Sequence, residues 1–504
     1  MSYASPLDKE LRPLSAEQIP HDLFTKLREE NLARWPTGAE IDLDEAVDYH
    51  LSLPDHKRLP WVLRQAEIEG RCLTQPRGGF GTLDLQIKLM RALDKDGHAD
   101  VVPTTTDSYT RNERWEQAQA GITESEKEGR SMLNGFPMVN YGPKRTRQLI
   151  EVIDKPAIVL SGTSMPRLTG EVGYAAGYTG YLGSGLAYVT SYTKEMTIEE
   201  GIRNYQYLDR LVALYAEKGV ELHRRQPGFL TGTNIPPSIA IITCVIDALL
   251  AAGQGVKSYG LEMGQTLHLI QDAAAIRACK ELAQEYLTRA GFDDISTPII
   301  SLHWMGAWPQ DDAQCAALVA YGGTLAAIGG AASVTTKSTH EAFGIPTPQV
   351  NAEGLRMTRM AIYLARQIRL DDHPEFITEI DLIKREVRSI LDAVLEIGEG
   401  DIAVGTVRAC EAGILDIPWS PNRYVKGRVM PARDADGYLR ILDPGDMPFE
   451  KEVLEIHTER LRRRAEVEGV PLDRDLAVSS VFEISEPLSV LVPGDAIGSK
   501  QPAT

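Results

Sequence analysis

Short runs rich in Val, Ile, Leu and Thr recur along this chain, separated by longer stretches in which apolar residues return every three or four positions. That alternation predicts a parallel sheet covered by helices, because parallel strands need a crossover connection between them. Candidate strands lie near residues 71–76, 100–104, 135–139, 157–161, 227–231, 256–260, 297–303 and 331–336. The intervening helices have recognisable ends. Thr197 and Glu200 stand in capping-box register around the apolar positions Ile198, Ile202, Tyr205 and Val212, with Gly219 closing the run. Thr82 caps a second run that places Leu83, Ile87 and Met90 on one face. Eight strand and helix units predict an α/β fold of the (β/α)8 TIM barrel type, with a doubly wound sheet as the alternative. The stretch 162–226 is too long for one crossover and reads as an insertion at the barrel mouth.

Residues 1–65 are polar and punctuated by proline, so they read as an N-terminal helical arm, with the barrel spanning 66–415. Residues 416–504, through DIPWSPNRY, EIHTERLRRRAEVEG and the β-like SSVFEISEPLSVLVPGD, read as a small C-terminal α+β element. Two apolar runs invite a membrane reading. The run 239–252 is short and holds Asp247, while 315–334 is built of Ala, Gly, Ser and Thr, so both are expected in the core.

Composition narrows the partners. The chain has 504 residues, and 53 Lys and Arg against 71 Asp and Glu give a formal charge of -18, which disfavours nucleic acid and anionic membrane. A small anionic substrate must then be held by locally placed cations. The 5 cysteines include no Cys-x-x-Cys pair, and the opening MSYASPLDKELRPLS lacks the pattern of a secretory signal, so a cytoplasmic setting is expected.

Several polar residues fall at or beyond the C-terminal ends of the candidate strands, where barrels place active sites. They are Arg77 in QPRGG, Thr105 and Arg111 in PTTTDSYTRNER, Asn134 in LNGFPMVNYG, His303 in LHWMGAWPQD, and Lys337 and Glu341 in KSTHEAFGIPT. Arg77 and Arg111 suit recognition of a small acid, because a guanidinium offers two parallel charge-assisted bonds and keeps its charge when desolvated. Gly78 and Gly79 serve either a tight turn or close approach of a bulky ligand. Hydrolytic metal chemistry is disfavoured, since no His-x-His pair occupies a candidate strand and His303 reads as a hydrogen-bonded barrel residue. GSGLAY at 183–188 lacks the third glycine of a dinucleotide fingerprint, and no P-loop or Gly-x-Ser-x-Gly elbow is found.

The blocks QPRGG, TDSYTRNERWE, SEKEGRSMLNGFPMVNYG, LTGTNIPPS, HWMGAWPQD, KSTHEAFGIPT and GDIAVGTVRACEAGILDIP resemble, in order and spacing, those of the glutamate mutase (methylaspartate mutase) large subunit family. The resemblance runs from WPTGAEIDLDEAVDY nearly to the C-terminus. It implies an adenosylcobalamin-dependent isomerase that rearranges L-glutamate to 3-methylaspartate by radical chemistry. It also implies a separate small Rossmann-like subunit that ligates cobalt, in an assembly of two large and two small chains. The small subunit's Asp-x-His-x-x-Gly is absent here, and DGHAD at 96–100 does not fit it.

By the same resemblance, Arg77 and Arg111 match arginines that clamp the substrate carboxylates, and Tyr188 and Tyr192 match tyrosines of the same site. Gly79, Asn134, Trp308, Lys337, Glu341 and Ile345 match cofactor contacts, with Lys337 and Glu341 near the ribose. Four residues depart from the family pattern. Leu160, with Ser161 beside it, stands where the family has a third arginine followed by histidine, Leu182 stands where a glutamate receives the substrate ammonium, and Ser191 replaces a proline beside the cofactor. One cation and one anion are missing together. Either the substrate lacks, masks or differently presents the amino-acid head group, as a 2-oxo acid or a larger analogue would, or neighbours such as Arg167 and Glu171 supply the lost contacts. A binding subunit without turnover is the remaining alternative.

Overall fold

The computed structural model describes residues 5–229 and 231–489. Its centre is an eight-stranded parallel sheet: β1 (Leu73–Gln75), β2 (Val102–Thr105), β3 (Ala157–Leu160), β4 (Gly180–Leu182), β5 (His223–Gln226), β6 (Ser258–Gly264), β7 (Ile299–Leu302) and β8 (Ser333–Thr335). From β2 to β8 each strand pairs with the next, and β8 pairs with β1 through Leu73 opposite Ser333. The Asp100 and Thr105 amides, donating to the carbonyls of Thr74 at 3.0 Å and Gly78 at 2.9 Å, bring β2 against β1. The sheet is therefore a nearly closed barrel, and the β8 to β1 pairing is incompatible with an open doubly wound sheet.

Three sequence expectations fail here. Residues 135–139 hold only an isolated bridge from Phe136 to Thr106 before the helix Met138–Glu151 begins. The stretch 162–226 is not an insertion. It contains the helix Arg167–Ala175, β4, the helices Gly185–Tyr192 and Ile198–Glu217, and β5, whose expected position was 227–231. β5 escapes a hydrophobicity reading because its sequence is His-Arg-Arg-Gln, yet all four residues are buried.

Strand alternation explains how this polar strand is accommodated. Arg224 points outward, donating to Asp209 at 2.7 Å and to the carbonyls of Tyr181 and Gly183. Arg225 points into the barrel, where it donates to Glu262 of β6, Gln75 of β1 and Thr335 of β8. Buried charge is tolerated because each guanidinium meets a carboxylate and further acceptors.

The helix caps follow the sequence. Thr197 and Glu200 form the reciprocal box, and the Thr82 hydroxyl accepts from the Leu85 amide. The N-terminal helices Pro6–Leu11, His21–Leu32, Leu43–Ser52 and Leu59–Ile68 lie against the barrel. There the buried Asp8 carboxylate takes charged bonds from Arg12, Arg167 and Arg203. Beyond the barrel, the helix Pro374–Ile397 leads to an antiparallel hairpin of β9 (Met430–Arg433) and β10 (Leu439–Asp443), held by Arg440 between Glu379 and Asp434. The β-like segment expected near the C-terminus begins inside the helix Arg474–Ser489, which lies against β9 and whose Ser480 hydroxyl accepts from the Arg433 amide at 3.1 Å, and its remainder lies outside the described residues.

The helix Pro237–Gln254 is long and apolar enough to cross a membrane, but its window is 94% buried inside the protein. Its Asp247 accepts from the Ser184 hydroxyl, and burial raises its carboxyl to about 7. A raised acid holds its proton in the folded state after the unfolded chain has released it. Asp247 therefore withdraws stability as pH climbs from 3.8 to about 7. Asp247→Asn removes that term, so thermal melts should show the variant gaining on the parent by on the order of 2 to 4 kcal/mol between about pH 4 and about pH 8. A pH-independent difference would mean that Asp247 is ionised at both ends of that range.

Candidate active site

The C-terminal ends of the strands open into a cavity of about 500 Å³ whose wall includes Arg77, Arg111, Leu160, Leu182, Tyr188 and Tyr192. Each is placed by local sequence. Arg77 follows β1 by two residues, after Pro76. Arg111 ends the one-turn helix Ser108–Arg111, which Asp107 caps by accepting from the Tyr109 and Thr110 amides at 2.8 and 3.1 Å. Leu160 and Leu182 close β3 and β4 and are register partners. Tyr188 and Tyr192 are one turn apart on the helix Gly185–Tyr192, with ring centroids 5.4 Å apart, and Ser184 caps that helix through the Leu186 and Ala187 amides.

The loop after β3 holds Arg111 in place. The Arg111 Nε donates to the Thr106 carbonyl at 2.8 Å, and Thr163 donates to the Arg111 carbonyl at 2.5 Å. Gly162, at φ +60°, lies against the guanidinium, so that a Cβ there would sit 3.1 Å from Arg111 Cζ. SGTS at 161–164 is thus the turn expected of it, and Gly162 within it is a site residue that sequence reasoning missed. Only its glycine in a strand-end loop could have hinted at it.

Neither Arg77 nor Arg111 forms an ion pair with a carboxylate among the described residues; Arg77 has only a long contact of Nη1 to Met305 Sδ at 3.6 Å. Burial lowers the Arg111 pKa, and the nearby charge of Arg77 lowers it further. Two unneutralised cations in a half-enclosed pocket favour an anion bearing carboxylates. Burial raises the Tyr188 and Tyr192 phenols, so both are neutral donors and acceptors near pH 7. Glu262 and Thr335 also reach the wall from β6 and β8. Neither position was expected, because each looks like ordinary strand filler until the barrel closes.

Thr105, at the end of β2, lines the same wall, and the other expected residues lie outside it. Ser161 is fully buried and donates to the Leu182 carbonyl at 2.7 Å, turning away from the cavity. Lys337 and Glu341 form a nearly buried ion pair at 3.1 Å, with the ammonium 5.2 Å from the Trp308 ring centroid. Burial, with a smaller contribution from Arg77, pushes Lys337 down to about 8 against the pull of Glu341. His303 is buried beside this pair, its Nδ1 accepting from the Lys337 amide at 3.3 Å, and burial lowers it to about 3. Asn134 accepts from the Ser108 amide at 2.9 Å and so supports the helix that carries Arg111. Ser191 is half-buried beside Tyr192, and Ile345 is exposed on the loop after β8. Gly79 has a packing reason of its own, since a Cβ there would fall 2.3 Å from the Thr105 carbonyl oxygen and 2.9 Å from Gly135 Cα.

Arg167 and Glu171 do not compensate for Leu160 and Leu182. Arg167 donates to Asn204 and Asp8 at 2.9 and 3.0 Å, and Glu171 accepts from Arg28 at 2.8 and 2.9 Å and from Tyr207 at 2.7 Å. Both are committed to the helical layer that anchors the N-terminal arm, because the residues that neutralise them lie there and not at the mouth.

Barrel and mouth together define a (β/α)8 protein whose cavity presents two arginines without a carboxylate ion pair among the described residues. Residues 53–492 match the sequence profile of the family described as Methylaspartate mutase E chain. The chain is 43% identical over 477 residues to the glutamate mutase epsilon subunit of Desulfitobacterium hafniense, covering 95% of this chain and 99% of that one. It is 43% identical over 469 residues to the epsilon subunit of Treponema denticola, and 41% over 457 residues to that of Yersinia enterocolitica. These alignments cover 93% of this chain and 97% of the Treponema protein, and 90% and 95% in the Yersinia case. The chain belongs to the methylaspartate mutase E chain family, whose members are isomerases of the intramolecular transferase kind. Membership implies adenosylcobalamin as cofactor and a small partner subunit.

Proposed function

We propose that this chain is the large, substrate-binding subunit of an adenosylcobalamin-dependent carbon-skeleton mutase acting on glutamate or an acid of the same dicarboxylic frame. The observation that carries this reading is the meeting of Arg77 and Arg111, free of carboxylate partners among the described residues, at the mouth of a barrel of this family. When bound, adenosylcobalamin supplies radical chemistry by homolysis of its cobalt–carbon bond, and little acid–base machinery is then asked of the protein.

The residues present suit that group. Lys337 and Glu341 offer a donor and an acceptor side by side, the pairing that a ribose diol accepts, and the Trp308 indole closes one side of the ammonium. Arg77 and Arg111 orient the acid, and the neutral phenols of Tyr188 and Tyr192 cover it and limit water. Cobalt would be ligated elsewhere. DGHAD lies at the N-terminal end of β2, opposite the mouth, with His98 in a left-handed turn at φ 51°. A separate small Rossmann-like subunit, two per two large chains, fits this division of labour.

Reconstitution tests the reading. Purified chain, small subunit and adenosylcobalamin should show a substrate-triggered change in the cofactor spectrum together with an isomer of the added acid by mass and chromatography, and both should vanish when either subunit is omitted. Turnover without the small subunit, or no response to any five-carbon dicarboxylic acid, would defeat it.

A further inference from the structure

The charges around the pocket are one-sided. Its carboxylates are Glu262 and Glu195. Glu262 is 1% exposed, and its oxygens accept from Arg225 at 2.7 and 3.2 Å and from Thr335 at 2.8 Å. Glu195 sits at the rim, 60% exposed at the side chain, paired with Arg423 at 2.7 Å. The neighbouring Asp107 carboxylate is spent on its helix cap and on the Thr110 hydroxyl. Among the described residues, no carboxylate facing the cavity is left to receive a substrate ammonium.

The same cavity wall carries an apolar step. Leu160 and Leu182, paired across β3 and β4, are 6% and 7% exposed and both face the cavity. The polar groups beneath them are already used, since Ser161 donates to the Leu182 carbonyl and Thr106 donates to the Ser161 carbonyl. An ammonium against this wall would lose water and gain no charged partner, whereas a methylene or carbonyl carbon would pack there at no such cost. The phenols of Tyr188 and Tyr192 offer dipoles but no charge.

We infer that this pocket selects a dicarboxylic acid of glutarate length with no positively charged group beside its carboxylates, a 2-oxo acid or an unsubstituted diacid, and that Leu160 and Leu182 make the selection. The inference rests on the pocket being the mutase's substrate site. Calorimetric binding of glutarate, 2-oxoglutarate and (S)-glutamate to the chain assembled with its small subunit and adenosylcobalamin tests it. (S)-Glutamate should bind about 30-fold or more weakly than the better of the other two, the ratio expected for a desolvated charge without a partner. Leu182→Glu should narrow or invert that ratio, and if this variant does not fold, the ranking by the unaltered protein still decides. Equal or tighter binding of (S)-glutamate overturns the inference while leaving the site intact, provided Arg111→Met abolishes binding of all three acids. Binding that ignores both Arg77→Met and Arg111→Met, or no binding of any acid, would instead overturn the assignment of the pocket and the inference with it.

Discussion

Arg111→Met is expected to weaken binding of the dicarboxylic substrate by about 2 to 5 kcal/mol, a factor of roughly 30 to several thousand, while the chain stays folded. The magnitude follows from the setting. Arg111 is desolvated and has no carboxylate among the described residues to neutralise it, so a substrate carboxylate meets a cation that little else screens. Arg111→Lys should recover part of the loss, since it restores charge but not the two-pronged geometry. Isothermal titration of the assembled enzyme reads the affinity, and a thermal melt separates it from the small stability change expected when the Nε bond to the Thr106 carbonyl is lost. An affinity unchanged in both variants would remove Arg111 from the substrate site.

Glu262→Ala should be the most destabilising single change at the mouth, by about 3 to 5 kcal/mol, because it leaves the Arg225 guanidinium buried without its counter-ion. Gln75 and Thr335 would still accept from Arg225, but neither carries charge. Chemical denaturation measures the loss, and Glu262→Gln should retain part of the stability by keeping an acceptor oxygen in place. If Glu262→Ala costs less than about 1 kcal/mol, water reaches the barrel centre and the pair is not desolvated. An ion pair that ties β5 to β6 and reaches β1 and β8 also fixes the floor under the substrate, so affinity for the acid should fall alongside stability.

Much of the site could be read before folding. Arg77 and Arg111 sit past the first two strands of the predicted strand and helix alternation, and the blocks around them resemble those of the family, so both their identity and their place at the mouth followed. The caps at Thr82 and Thr197 were equally legible, since their hydrogen bonds are local and depend on residues three positions away. β4 and β5 were not. β4 is a Gly-Tyr-Leu triplet too short to leave a periodic trace, and β5 is buried only because Asp209 and Glu262 arrive from elsewhere to neutralise its arginines.

The amino-acid sequence by itself determined the class of protein, the arginine pair and the presence of leucine at positions 160 and 182, because these are matters of residue identity and order. Tertiary structure alone decided that Leu160 and Leu182 stand side by side in the cavity that holds the arginines, that Arg167 and Glu171 are tied into the N-terminal arm, and that Glu262 is already neutralised. Whether a charge is free or spent depends on partners distant in sequence, and those partners are fixed only when the barrel closes.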